Sequence, residues 1–271
     1  MKNFRYMLRS NQEIAPHIFR LVLLGPPEFS MQPGQFVMLR VGNSFDPLLR
    51  RPFAALAHNS AEGSILEIYY KVVGRGTALL ASLPVNVSLE VLGPLGRGFL
   101  VPPEKPVMLL VAGGMGIVPL RGLIEHLSHL GTKKLYVFLG AHSADHLLFL
   151  DEMDELGDSL HIATEDGSRG FRGLITDCLE YALQHDHHLA VDQTACFACG
   201  PQPFLKSMAR IAEKYRLSCQ VSLEARMACG IGVCLGCVVE KISPDTMSAC
   251  VHRYDRVCVE GPVFDIQEIA W

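Results

Sequence analysis

The chain has 271 residues, 49% hydrophobic and 19% charged, with a formal net charge of −4. That length suits two domains plus a smaller module, and the charge excludes the basic footprint of a nucleic-acid binder. The N-terminal residues mix Lys2, Arg5, Arg9 and Glu13 with apolar ones and show no leader, and the longest apolar stretch, Val107 to Leu120, is broken by glycines. It falls short of the roughly 20 residues that span a bilayer, so a soluble, cytoplasmic chain with no membrane segment is expected.

The first hundred residues read as β structure. Phe4–Arg9, Ile18–Leu24, Gln35–Val41, Ile65–Val72 and Val87–Val91 are short apolar runs separated by Gly, Pro and Asn. This spacing predicts an antiparallel barrel or sandwich. Val101 to Pro106 is a Pro-rich joint, after which the rhythm changes. A strand over Val107–Val111 is followed by a glycine turn and a helix over Pro119–Leu130. Then come a strand at Leu135–Leu139, a helix at Leu147–Leu156, a strand at Ala195–Ala198 and a helix at Pro203–Arg216. Alternating strands and helices predict a parallel-sheet α/β domain. From Leu217 the pattern dissolves into a Cys- and Gly-rich segment. The expected division is 1–102 for the β-barrel domain, 103–216 for the α/β domain and 217–271 for a small cysteine module.

Nine cysteines in a chain without a secretion signal point to metal before disulfides. Cys229, Cys234, Cys237 and Cys250 follow the spacing C-x4-C-x2-C-x12-C. The first two intervals match the plant-type [2Fe–2S] pattern, in which four thiolates hold two irons. Gly230, Gly232 and Gly236 suit a loop that brings backbone N–H groups close to sulfur. A structural zinc site normally uses two C-x2-C knuckles, and only Cys234 and Cys237 form one here. The other five, Cys178, Cys196, Cys199, Cys219 and Cys258, read as ordinary buried residues, with Cys199 open to a second role.

Two glycine turns suggest nucleotide binding. Gly113, Gly114 and Gly116 follow an apolar strand and open a helix, and Cys199-Gly200-Pro201 repeats that placement. Such turns let backbone amides approach a pyrophosphate at a helix N-terminus, although the first is not the G-x-G-x-x-G fingerprint. In the β region, Arg51-Pro52-Phe53-Ala54 joins a cation and an aromatic ring. Tyr69-Tyr70-Lys71 and Gly76-Thr77 repeat the theme with a hydroxyl. His185-Asp186-His187-His188 reads as a solvated loop rather than a metal site.

In this order, Arg51-Pro52-Phe53, Gly74-x-Gly76-Thr77, Gly93-Pro94-Leu95-Gly96, Gly113-Gly114-x-Gly116, Cys199-Gly200-Pro201 and the cysteine segment resemble the ferredoxin-reductase family of FAD- and NAD(P)-binding proteins. Within it, the run from Ser222 to Cys237 is similar to the electron-transfer subunits of NAD-linked, class B dihydroorotate dehydrogenases. Relatives that make NADPH from ferredoxin usually have Asp where Cys229 stands. The resemblance implies FAD along Arg51, Pro52, Phe53 and Ala54, with Tyr69, Tyr70, Lys71, Gly76 and Thr77 holding the rest. It implies NAD at the two glycine turns and an FMN-containing catalytic partner in an assembly of two subunits of each kind. Ala54 and Lys71 depart from the family's usual Ser or Thr and Arg, which weakens a hydroxyl and a bidentate phosphate contact. NAD is favoured over NADP, since Gly140 to Asp145 offers no arginine for a 2′-phosphate and Thr164 to Ser168 is acidic. A differently partnered NAD(P)H reductase and a non-enzymatic zinc protein remain as alternatives.

Overall fold

Alternation of apolar and polar side chains organises the N-terminal part. In the computed structural model, which describes residues 2–42, 46–131, 133–186, 189–242 and 254–271, these strands close into a six-stranded antiparallel barrel. Its strands are β1 (Lys2–Ala15), β2 (Ile18–Gly25), β3 (Phe36–Arg40), β4 (Arg51–Ser60), β5 (Gly63–Lys71) and β6 (Ser88–Leu95). Their order is β1-β2-β5-β4-β3-β6. Closure leaves no unpaired edge, which decides between barrel and sandwich. Leu21 and Leu23, Val37 and Leu39, Leu66 and Ile68, and Leu89 and Val91 alternate inward to form the core. The sequence pattern did not give β4. Pro52 sits at the strand's start, where a missing N–H is tolerated. A short helix, α1 (Arg75–Ala81), buries Leu80 in the barrel core.

The second part is a seven-stranded sheet built on β7 (Val107–Gly113), β8 (Lys134–Ala141), β9 (Leu160–Thr164), β10 (Phe171–Arg172), β11 (Thr194–Cys199), β12 (Ser218–Ser222) and β15 (Val263–Asp265). The strand order is β10-β9-β8-β7-β11-β12-β15. All neighbours run parallel except β12 and β15. Helices α2 (Ile117–Leu130), α3 (Ile175–His185) and α4 (Gln202–Tyr215) complete this part. β13 (Val238–Glu240) and β14 (Tyr254–Arg256) form a separate two-stranded ribbon. The expected helix over Leu147–Leu156 is absent: Phe149 adopts a left-handed φ of 62°, and the chain then winds as 3₁₀ turns over Asp151–Ser159. A side chain in that backbone region breaks the α-helical ladder. The sheet also continues beyond Leu217 through β12 and β15, where the sequence rhythm fades because both strands are short.

The chain divides into two compact units. The first takes in Met1–Gly98, Ala225–Val238 and Arg256–Pro262, and the second Phe99–Glu224, Val239–Asp255 and Val263–Trp271. Residues Cys229 to Cys237 and Cys258 thus fold with the barrel, whereas the expected division set 217–271 apart. Among the described residues no helix is long and apolar enough to cross a membrane.

Candidate functional site

Three sites emerge, two in the barrel unit and one in the sheet unit. The first is the cysteine loop. It packs on the outer side of β3: a Cβ at Gly230 would lie 2.5 Å from Met38 Cγ. Gly230 and Gly232 take φ of 71° and 82°, and Leu235 joins them at 57°. These left-handed positions curl the chain so that its amides point inward. The Cys229 sulfur accepts the N–H groups of Ile231 at 3.4 Å and Cys234 at 3.5 Å. Burial pushes this thiol up, but those amides, with that of Val233 and the Cys234 thiol, outweigh it and hold Cys229 at about 6.

Cys250 lies outside the described residues. Cys258, set aside in the sequence reading as a core residue, is instead brought to the loop. Its thiol faces Cys237 within hydrogen-bonding reach, the Gly232 amide points to it, and Cys229 is near enough to interact electrostatically. Burial, then Cys237, pushes the Cys258 thiol up to about 12. Val257 N–H donates to the Cys237 carbonyl at 2.9 Å, tying the two segments in place. Arg256 clamps the turn by reaching the Gly232 carbonyl at 3.1 Å and the Glu260 carboxylate at 3.0 Å. The thiols therefore stand as two pairs, Cys229 with Cys234 and Cys237 with Cys258. Among the described residues no three ligating groups surround one point. Two pairs suit two irons, each taking two thiolates, better than one tetrahedral ion. Spacing missed Cys258 because its distance along the chain from Cys237 fits no short motif.

The second site is a cleft of about 720 Å³ in the same unit, lined by Arg50, Arg51, Pro52, Arg75, Arg226 and neighbours. Arg51 lies against α1, where a Cβ at Gly76 would come 2.5 Å from its Nε. Glycine at 76 is thus required for the guanidinium to sit there. The Thr77 hydroxyl accepts the N–H groups of Val73 at 3.0 Å and Gly74 at 3.2 Å, so it builds the turn. Tyr69 donates its phenol proton to Glu67 at 2.7 Å, and Arg20 grips the same carboxylate at 2.9 and 3.0 Å. Lys71 is exposed at the end of β5, and Ala54 pairs with Phe36 across the β3–β4 ladder. Tyr70 is placed differently from the rest. Its ring lies in the barrel core, 5.8 Å from Phe53, and its hydroxyl donates to Asn11 at 3.0 Å.

The third site is a cleft of about 490 Å³ at the carboxyl ends of the parallel strands. Gly113, Gly114, Gly116, Gly200 and Pro201 all line it, so the two glycine turns converge as expected. Gly116 is packed tightest, since a Cβ there would lie 1.9 Å from the Cys199 carbonyl oxygen. The first turns of α2 and α4 follow these glycines, presenting backbone N–H groups to an anion. Cys199 does not line the cleft but is buried beneath it. Burial and then the neighbouring Glu224 charge push its thiol up to about 12. Sequence reasoning missed Thr176, Phe204, Ser207 and Glu224, which also line this cleft together with His142 and Glu165 from the two segments read for NAD preference. Burial raises the Glu224 carboxyl above the usual carboxylate range. Elsewhere, His185 stacks on Tyr181 at 4.2 Å, while His187 and His188 lie outside the described residues.

A family model described as the iron–sulfur cluster binding domain of dihydroorotate dehydrogenase B matches residues 224–270. Another, the oxidoreductase NAD-binding domain, matches residues 110–210. The chain is 37% identical over 275 residues to the electron transfer subunit of dihydroorotate dehydrogenase B (NAD(+)) from Bacillus velezensis, covering 100% of both chains. The chain belongs to this family. The corresponding Bacillus cereus subunit is 35% identical over 273 residues, covering 99% of each chain. Among solved structures, an NADH-dependent reduced ferredoxin-NADP oxidoreductase matches with a TM-score of 0.80 and 28% identity, covering 98% of this chain and 90% of that one. A ferredoxin NADP+ reductase from Neisseria gonorrhoeae, with bound FAD and NADP, shares the fold at a TM-score of 0.68 and 18% identity, covering 79% of this chain and 92% of that one.

Proposed function

We propose that this chain is the electron-transfer subunit of an NAD-linked dihydroorotate dehydrogenase, an oxidoreductase component of pyrimidine biosynthesis that works with an FMN-containing catalytic subunit. The observation that carries this reading is the pairing of a two-by-two thiol set with a backbone-lined dinucleotide cleft, in a chain that matches its relatives from end to end. When bound, FAD and a [2Fe–2S] cluster supply the conversion between the two-electron hydride of NADH and single electrons.

The chain's own residues have distinct tasks in this reading. Cys229, Cys234, Cys237 and Cys258 are the cluster ligands, with Cys258 preferred over Cys250, and the Ile231 and Cys234 amides offset charge on sulfur. Arg51, held against Gly76, neutralises the FAD diphosphate, and Pro52, Phe53, Ala54 and Lys71 border that group. Tyr69 is fixed by Glu67 and Arg20 as a ring wall. Tyr70 and Thr77 shape the site from within the barrel and the α1 turn. Gly113, Gly114, Gly116 and Gly200 receive the NAD pyrophosphate through backbone N–H groups, with Pro201 bordering it and Cys199 as buried support.

Beside the thiols, Val233 is 75% and Leu235 59% exposed, and Cys234 is exposed with them. Apolar residues around a redox group suit a docking face for the catalytic subunit, in an assembly of two of each. The test is co-expression with an FMN-containing dihydroorotate dehydrogenase subunit. Dihydroorotate-dependent NAD+ reduction in the co-purified complex, absent from either subunit alone, supports the proposal. Failure to associate, with rapid NADH oxidation by the lone chain using another acceptor, would favour a differently partnered reductase.

A further inference from the structure

Gly232 stands between the two thiol pairs. Its own N–H points to Cys258, and the N–H of the next residue, Val233, points to Cys229. The carbonyl of that second peptide group belongs to Gly232 and accepts a hydrogen bond from Arg256 Nη1 at 3.1 Å. One peptide group therefore carries a guanidinium at its oxygen and a sulfur at its N–H. A Cβ at Gly232 would lie 3.0 Å from that Nη1 and 2.7 Å from Val259 Cγ2, so glycine leaves room for the approach.

Glu260 fixes the guanidinium in place. Its carboxylate accepts the Arg256 backbone N–H at 2.8 Å and the Nε–H at 3.0 Å, and Nη2 donates to it as well. Nη1 is left for the loop, so the cation lies between Gly232 and the carboxylate. Arg256 is also near enough to Cys237 and Cys258 to interact electrostatically. The two side chains are only 35% and 25% exposed, so salt screens them less than a surface pair. A guanidinium also keeps its charge at any working pH.

Resting on the proposed reading of Cys229, Cys234, Cys237 and Cys258 as cluster ligands, we infer that Arg256, braced by Glu260, is a positioning residue that raises the reduction potential at these thiols through the Gly232–Val233 peptide. One electron taken up without a proton adds one negative charge, shared by the sulfurs of a [2Fe–2S] group. A cation that polarises the amide donating to Cys229 favours that more negative form. Glu260 opposes it from farther away. The two halves of one ion pair therefore act with opposite signs, whereas simple loosening of the loop would make both substitutions act alike.

The test is a potentiometric titration of the full chain with its cofactors, using dithionite as electron donor and soluble mediators. Electron paramagnetic resonance and iron content are followed in wild type, Arg256→Gln, Arg256→Lys and Glu260→Gln. Arg256→Gln should lower the equilibrium constant for electron uptake about tenfold, a fall of about 59 mV for one electron. Glu260→Gln should raise that constant roughly threefold, and Arg256→Lys should recover about half of the Arg256→Gln shift or more. Unchanged potentials, shifts of the same sign in both Gln variants, or loss of iron from both overturn the inference and leave the ligand set standing. If one Gln variant alone loses iron, the sign of the shift in the other decides. A wild type with neither iron nor signal overturns the reading of the thiols, and the inference with it.

Discussion

In the proposed reading, the two clefts receive a ligand with a diphosphate by opposite means. The barrel cleft is lined by Arg50, Arg51, Arg75 and Arg226, with Arg50 paired to Glu90 and Arg75 to Asp46. The sheet cleft is lined without lysine or arginine among the described residues and relies on glycine turns and helix N-termini. Side-chain cations hold an anion strongly and suit a group that stays bound. Backbone amides offer a site of fixed shape and modest strength, suited to a dinucleotide that must leave after each turnover. In that proposal the contrast separates a resident cofactor from an exchanging substrate using only this chain's residues.

The comparison can be broken at the backbone site by filling it. Gly116→Ala would drive a Cβ into the Cys199 carbonyl, so we expect a loss of about 2–4 kcal/mol in stability, read by denaturant titration. NAD+ binding should fall with it, while FAD content of the folded fraction should persist. At the side-chain site, Arg51→Met should weaken FAD about 10- to 100-fold, measured by flavin release on dilution, and leave NAD+ affinity within about twofold. Salt sharpens the same contrast more gently. Raising ionic strength from 0.05 to 0.5 M should speed flavin loss severalfold but change NAD+ affinity little, because screening acts on the exposed arginines. Equal sensitivity of both ligands would contradict the distinction.

The smallest effect concerns Glu224. Burial raises its carboxyl in the folded state, so the folded chain binds this proton more tightly than the unfolded one. The corresponding stability is present below the usual carboxylate range and lost as pH rises through the raised value. Glu224→Gln should remove that loss, melting about 1–2 °C higher than wild type near neutral pH and no higher at pH 4, by calorimetric scans.

How far the sequence could be read follows the same divide. The barrel strands were legible because alternation sends Leu21, Leu23, Leu66 and Ile68 to one side. The expected helix at 147–156 was not, because a left-handed Phe149 is a backbone event that apolar spacing does not record. Three of the proposed cysteine ligands and two glycine turns stood out by residue type and interval. Cys258 did not, since tertiary folding rather than spacing brings it to Cys237. Glu224 looks like an ordinary acid in the sequence and acquires meaning only from the strand end that carries it. Tyr70, a plausible ring platform by motif, is claimed by the barrel core because alternation along β5 turns it inward.

The central claim is that electrons enter or leave through a cluster on Cys229, Cys234, Cys237 and Cys258. Its most direct test is electron paramagnetic resonance of the NADH-reduced chain, comparing wild type, Cys258→Ser and Cys250→Ser with iron counted in each sample. The account predicts a [2Fe–2S] signal with about two irons per chain in wild type and Cys250→Ser, and loss of both in Cys258→Ser. A full signal in Cys258→Ser together with its loss in Cys250→Ser would contradict it.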